Sequence, residues 1–186
     1  RSTRVRSSAA SDVYKRQGTS IVSNVTNSKD IEATGGCMKA LGAIIKQIDE
    51  TTYEVTGTNL FKQEGNITCN ANESGSTLRF LIPLAACTNA KVKFLGQGRL
   101  LQRPMDVYEN EFKKQNIEFN QSDKEIIVSG NLKAKDYVVQ GDISSQFITG
   151  FMFVLPLLDQ DSTLTITEPY DCLLYTSDAA DDLTRV

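Results

Sequence analysis

The chain has 186 residues, 40% of them apolar, with 20 Lys and Arg against 23 Asp and Glu for a formal net charge of -3. This is the composition of a globular domain able to bury a core, and its mild acidity argues against a nucleic-acid binder. Histidine is absent, which removes the commonest general base, the usual zinc ligand and every Ser-His or Cys-His nucleophile pair. Any chemistry has to use lysine, arginine, carboxylates or backbone groups. Cys37, Cys69, Cys87 and Cys172 show no C-x-x-C spacing. No metal site, redox pair or cofactor is therefore predicted, and a reducing cytoplasm is the expected location.

Residues 7–17 resemble a translated transposase adapter of the kind used in sequencing libraries. Back-translated and read as its reverse complement with a one-base shift, that segment yields residues 172–181. Residues 1–17 lack the apolar run of a signal peptide. Both ends, 1–17 and 171–186, are therefore expected to be non-native tails around a natural stretch of 18–170. Without them the chain keeps 14 basic and 18 acidic residues, and its arginines reduce to Arg79, Arg99 and Arg103 beside 11 lysines.

Ser28 and Asp30 stand before the apolar positions Ile31, Met38, Leu41, Ile44 and Ile45, a spacing that predicts a capped amphipathic helix. Residues 53–57 and 66–70 read as strands. After a turn of small residues at 72–77, residues 78–86 are apolar apart from Arg79 and predict a buried helix. Residues 91–95 alternate as a strand. Pro104 then opens a charged helix to residue 116, with Met105, Val107, Tyr108 and Phe112 on its apolar side. Glu109, Glu111, Lys113 and Lys114 read as its solvated face. Residues 117–119, 125–129 and 137–139 supply three short strands.

The pattern then returns. Residues 141–146 lead into the apolar run 147–158, interrupted by Pro156 as the first run is by Pro83, and Ser144 stands 70 residues after Ser74. The recurrence predicts one α/β domain of repeated β-α-β-α-β-β units around buried helices. The second run is shorter than the roughly 20 residues that cross a bilayer, so it reads as a core helix covered on all sides and no membrane contact is expected.

Both buried helices begin with hydroxyl residues, at 74–77 and 144–145. Helix starts present free N–H groups and partial positive charge, so a phosphate or carboxylate is well received there. Ordinary N-caps are the alternative, although Ser144, Ser145 and Gln146 together offer more than one cap requires. Arg99 and Arg103 flank the loop before the charged helix, and a guanidinium there suits bidentate binding of an anion. Arg79, one turn into an apolar helix, is expected to pair with a buried carboxylate or with carbonyls. Cys37, Cys69 and Cys87 read as core.

Three segments, in order, resemble the 5-enolpyruvylshikimate-3-phosphate (EPSP) synthase family. Asn72-Glu73-Ser74-Gly75-Ser76-Thr77-Leu78-Arg79 is similar to its first signature, residues 98–104 to its R-x-x-x-R-P loop, and Gly141-Asp142-Ile143-Ser144-Ser145-Gln146-Phe147 to its S-S-Q motif. Residues 18–24 and 28–30 also resemble the opening of one family unit. The resemblance implies part of one domain of the enolpyruvyl transferase fold, an inside-out α/β barrel of three similar units around a pseudo-threefold axis. It implies transfer of the enolpyruvyl group of phosphoenolpyruvate to shikimate 3-phosphate, a step of aromatic amino acid biosynthesis, by a monomer.

Residue by residue, the resemblance gives Ser144, Ser145, Gln146, Thr167 and Tyr170 to shikimate 3-phosphate. It gives Gly75, Ser76 and Arg103 to phosphoenolpyruvate, and a site-supporting role to Arg79 and Arg99. Glu73 stands where many members have asparagine, Thr167 where serine is common and Glu168 where a basic residue is usual. The family's catalytic lysine segment and its acid/base carboxylates have no counterpart in this sequence, so an inactive fragment is expected. Two other readings are a non-catalytic anion-binding or structural α/β module and, more distantly, a UDP-N-acetylglucosamine enolpyruvyl transferase, which would carry a catalytic cysteine loop and lack the S-S-Q run.

Overall fold

The computed structural model describes residues 18–169 and the backbone of a short strand near the start of the chain, β1 (Ser2–Val5). Apart from that strand, the tails expected at 1–17 and 171–186 lie outside the described residues, as does Tyr170.

The first elements are β2 (Thr19–Val22), helix α1 (Lys29–Ala40), β3 (Ile44–Gln47) and β4 (Tyr53–Thr56), with β4 antiparallel to β2 on one side and β3 on the other. Ser28 caps α1, its hydroxyl accepting from the Ile31 N–H at 3.3 Å. The predicted helix ran on through Ile45, but α1 ends at Ala40. Gly42 takes a φ of +101°, a left-handed conformation open to glycine that stops the helix. Ile44 and Ile45, β-branched and stiff, then enter a strand.

The predicted β-α-β-α-β-β unit occurs in full as β5 (Glu64–Asn70), α2 (Gly75–Ala85), β6 (Asn89–Leu95), α3 (Asp106–Lys113), β7 (Glu118–Gln121) and β8 (Ile126–Ser129). β5 and β6 are parallel and joined through α2, while β8 runs antiparallel to both β6 and β7. A second copy begins with β9 (Asp136–Gln140), α4 (Ser145–Val154) and β10 (Ser162–Thr167), where β9 and β10 are again parallel and β1 lines the other edge of β10. Pro156, which has no N–H to give, sits in a short 3-10 turn, Leu155–Leu157, that follows α4.

α2 and α4 lie at the centre of the core. α4 is not covered on all sides, however: Met152 is 53% and Phe153 49% exposed, and the Phe153 ring meets Phe80 of α2 edge-on at 5.4 Å. Within α2, Pro83 lacks the N–H that would bond the Arg79 carbonyl four residues back. The Tyr108 hydroxyl of α3 donates to that carbonyl instead, at 2.7 Å. Gly150 lets α4 come close at this point. A methyl group there would collide with the Tyr108 hydroxyl and come to 2.8 Å from the Arg79 carbonyl oxygen.

Glu111 departs from the expected solvated face. It is 4% exposed, bonded to Lys135 at 2.7 Å and to Lys114, and so ties α3 to the segment before β9. Burial pushes its carboxyl up, but the bonds and charges of the two lysines outweigh burial and hold it below the ordinary glutamate range.

Two sets of stability measurements check this packing. Gly36, in α1, has open space where a side chain would go, so Gly36→Ala is expected to stabilise by about 0.5–1 kcal/mol and Gly150→Ala to destabilise by about 1–3 kcal/mol. Thermal melts shifting in the same direction for both variants would contradict the close approach at Gly150. Because the folded pKa of Glu111 is lowered, its contribution is complete above the ordinary glutamate pKa and is lost as pH falls through the lowered folded value. Glu111→Gln should therefore cost about 1–3 kcal/mol near neutrality and progressively less in acid, in urea titrations run across pH.

Candidate functional site

The starts of α2 and α4 stand just past the C-terminal ends of two parallel strand pairs, built the same way. The Ala71 N–H donates to the Leu95 carbonyl beyond β5, and the Gly141 N–H to the Thr167 carbonyl beyond β9, both at 2.9 Å. Each helix opens on a serine cap: Ser74 accepts from the Thr77 N–H at 3.3 Å and Ser144 from the Gln146 N–H at 3.4 Å. The two crossovers thus deliver free helix N–H groups to equivalent places in each copy.

The hydroxyl cluster at the start of α2 divides by task. Ser74 and Thr77 are buried and bonded to each other at 2.8 Å, and Thr77 meets Thr34 of α1 at 2.7 Å. Those two hydroxyls cap and brace, as the alternative reading held. Gly75 and Ser76 remain half-exposed, with the Ser76 hydroxyl 3.2 Å from that of Ser74. Thr34 was not singled out in the sequence; a threonine inside a helix gives no sign of a partner two elements away.

Arg103 follows a 3-10 turn, Leu100–Gln102, whose two leucines are buried anchors. The Arg103 carbonyl is held by Gln121 Nε2 at 2.8 Å. From this fixed backbone the guanidinium reaches back to the start of α2 and lies so close to Gly75 that a Cβ there would collide with Nη1. The absence of a side chain at residue 75 is what admits the guanidinium.

Arg79, one turn further along α2, reaches toward α4. Its Nη1 donates to Gln146 Oε1 at 2.8 Å and to the Ser144 hydroxyl at 3.4 Å, and the guanidinium carbon lies 4.8 Å from the centre of the Phe147 ring. Of the two partners expected for it, an amide carbonyl is present and a carboxylate is not. Its Nε is buried without a hydrogen-bond partner. Burial, and next the like charge of Arg103, push the Arg79 guanidinium below its ordinary pKa. Neither arginine has a carboxylate partner among the described residues.

Gly75, Ser76, Arg79, Arg103, Ser144 and Gln146 are thus linked, with Ser145 beside them at the first position of α4. Thr167 is half-buried at the end of β10 and joined to the same loop through its carbonyl. Arg99 is exposed at the start of its 3-10 turn and makes no side-chain capping bond. Among the described residues, no group of His, Cys, Asp or Glu could hold a metal ion. No described carboxylate, lysine or thiol is bonded into the cluster, so what it can do is hold and orient anions. Gly75→Ala is expected to displace the Arg103 guanidinium and weaken binding of inorganic phosphate about tenfold with the fold intact. Unchanged affinity in an NMR titration would show that this contact does not matter.

A family model described as EPSP synthase (3-phosphoshikimate 1-carboxyvinyltransferase) matches residues 15–185. Curated relatives named 3-phosphoshikimate 1-carboxyvinyltransferase include that of Clostridium kluyveri, 42% identical over 160 residues and covering 85% of this chain and 37% of the relative. The Clostridium beijerinckii relative is 44% identical over 160 residues, covering 81% and 36%. An EPSP synthase structure from Acinetobacter baumannii superposes with a TM-score of 0.68 over 87% of this chain and 39% of its own, at 15% identity. The enolpyruvyl transferase NikO from Streptomyces tendae does so at 0.55 over 84% and 36%, at 9% identity. At such identities these two structures speak for the fold alone, and it is the enolpyruvyl transferase fold. The chain spans about 37% of the length of the curated relatives it matches. By its matched segments and its fold together, the chain belongs to the EPSP synthase family.

Proposed function

We propose that this chain is the anion-holding part of an enzyme that transfers the enolpyruvyl group of phosphoenolpyruvate to shikimate 3-phosphate. The observation that carries this reading is the pair of guanidinium groups, Arg79 and Arg103, set beside the starts of α2 and α4 with no carboxylate partner among the described residues. An anion placed there gains a charge-assisted contact with Arg103 and offsets the repulsion between the two cations.

In this reading Ser144 and Ser145, with the free N–H groups of α4, receive the phosphate of shikimate 3-phosphate, and Gln146 bonds its ring. Thr167 and Tyr170 complete that side. Arg103, with the Gly75 backbone and Ser76, receives phosphoenolpyruvate, while Arg79 holds Gln146 in place and Arg99 supports the loop. Orientation alone contributes much to a transfer between two bound anions. The protons that must be moved require groups supplied from beyond this stretch, so the chain by itself binds and does not turn over. The reading further takes residues 18–170 as the natural stretch of a cytoplasmic monomer. It fits this reading that no described helix is long and apolar enough to cross a membrane.

Calorimetry tests the proposal directly. The chain is expected to bind shikimate 3-phosphate, with Ser144→Ala and Arg103→Ala each weakening the interaction about tenfold. No binding, or binding by both variants as tight as that of the parent chain, would favour a structural module in which the serines are caps and the arginines are surface charges.

A further inference from the structure

Tyr108 belongs to α3, outside both helices that form the candidate site, yet its hydroxyl touches each of them. It donates to the Arg79 carbonyl of α2 at 2.7 Å and lies 3.4 Å from the Phe147 carbonyl of α4. The side chain is fully buried, with its ring stacked on Phe112 and edge-on to Phe147 and Phe151. Burial pushes the phenol pKa well up, so the hydroxyl remains a donor throughout the neutral range.

Three features from separate parts of the sequence meet here. Pro83 leaves the Arg79 carbonyl without its helical donor, Gly150 provides the space, and Tyr108 fills it with a hydroxyl. A buried carbonyl left unbonded is costly, whereas a bonded one fixes the backbone that carries it. The backbone fixed in this case carries the Arg79 side chain, and the carbonyl across from it belongs to the residue after Gln146. Those are the two side chains that meet across the helix pair at 2.8 Å.

We infer that Tyr108 is a positioning residue for the anion site: its hydroxyl, set between the Arg79 and Phe147 carbonyls, holds α2 and α4 at the separation where Arg79 reaches Gln146 and Ser144. The inference rests on the reading of that cluster as an anion site. Tyr108 itself does not contact the anion. Its effect is transmitted by the two backbones, and the ring alone cannot supply it.

The test uses the full chain and inorganic phosphate. Tyr108→Phe keeps the ring and deletes the hydroxyl. Tyr137→Phe is the matched control, because it deletes another buried phenol hydroxyl, one that donates to the Lys133 carbonyl at 2.6 Å. Tyr108→Phe is expected to weaken phosphate binding about fivefold to tenfold and to shift the NMR signals of Arg79 Nε and the Gln146 side-chain amide. Tyr137→Phe should leave both unchanged. Parent-like affinity in Tyr108→Phe, or an equal loss in Tyr137→Phe, overturns the positioning role while leaving the anion site standing. If the parent chain itself does not bind phosphate, the anion site falls and the positioning role with it. Should Tyr108→Phe fail to fold, adding Pro83→Ala gives the Arg79 carbonyl a donor within α2 and restores the helix without the link to α4. The same loss of affinity is expected in that double variant, and parent-like affinity would overturn the inference.

Discussion

Two guanidinium groups, Arg79 and Arg103, stand near enough to repel one another, with no carboxylate partner for either among the described residues. Arg103 sits at an exposed loop where water screens its charge, while Arg79 is partly withdrawn from water and, among the described residues, bonded to neutral acceptors. A protein that needed these charges only for stability would neutralise them, since a buried cation without a counter-charge costs free energy. On the proposed reading the counter-charge arrives with a ligand. On the same reading the free N–H groups of the two serine-capped helix starts, beside these cations, receive the anion's oxygens.

Much of this was legible in the sequence because a repeat reports on itself. The 70-residue recurrence of hydroxyl cluster and apolar run is enough to place the two buried helices and their serine-rich starts without reference to any tertiary contact. The elements that escaped are those whose residues carry little pattern. β2 is exposed at all four positions, so it has no buried face to alternate against, and β3 was absorbed into a helix because its isoleucines continue the spacing of α1. Leu41, Gly42 and Ala43 separate the two, and the left-handed backbone of Gly42 is a property of the turn. β10, too, was missed as a strand, since threonines at alternate positions give only a weak polar-apolar alternation.

Side-chain roles were hidden for a different reason: burial is decided by what arrives from elsewhere. Glu111 lies among charged residues on a helix that looks solvated. Lys135, 24 positions later, closes over it and turns a surface carboxylate into a buried anchor. Arg79 could be recognised as needing a partner, but the choice of Gln146 depended on how closely α2 and α4 approach, and that was set by Gly150. The spacing of residues along the chain carries no record of such crossings.

The division of labour between the two cationic residue types follows from the same physics. Every ion pair among the described residues joins a lysine to a glutamate, as in Lys91 of β6 with Glu118 of β7 at 3.0 Å, across the intervening β8, and Lys93 with Glu125 at 2.9 Å. A lysine ammonium is a compact, well-hydrated charge that meets such a partner at the surface with little geometric demand. Arginine offers a planar fork that stays charged when partly buried and can bind an oxyanion through two parallel bonds. Among the described residues the ion pairs are made by lysine, and neither Arg79 nor Arg103 has a carboxylate partner. On the proposed reading, a chain that is mildly acidic as a whole receives its anions at the two cations that no described carboxylate neutralises.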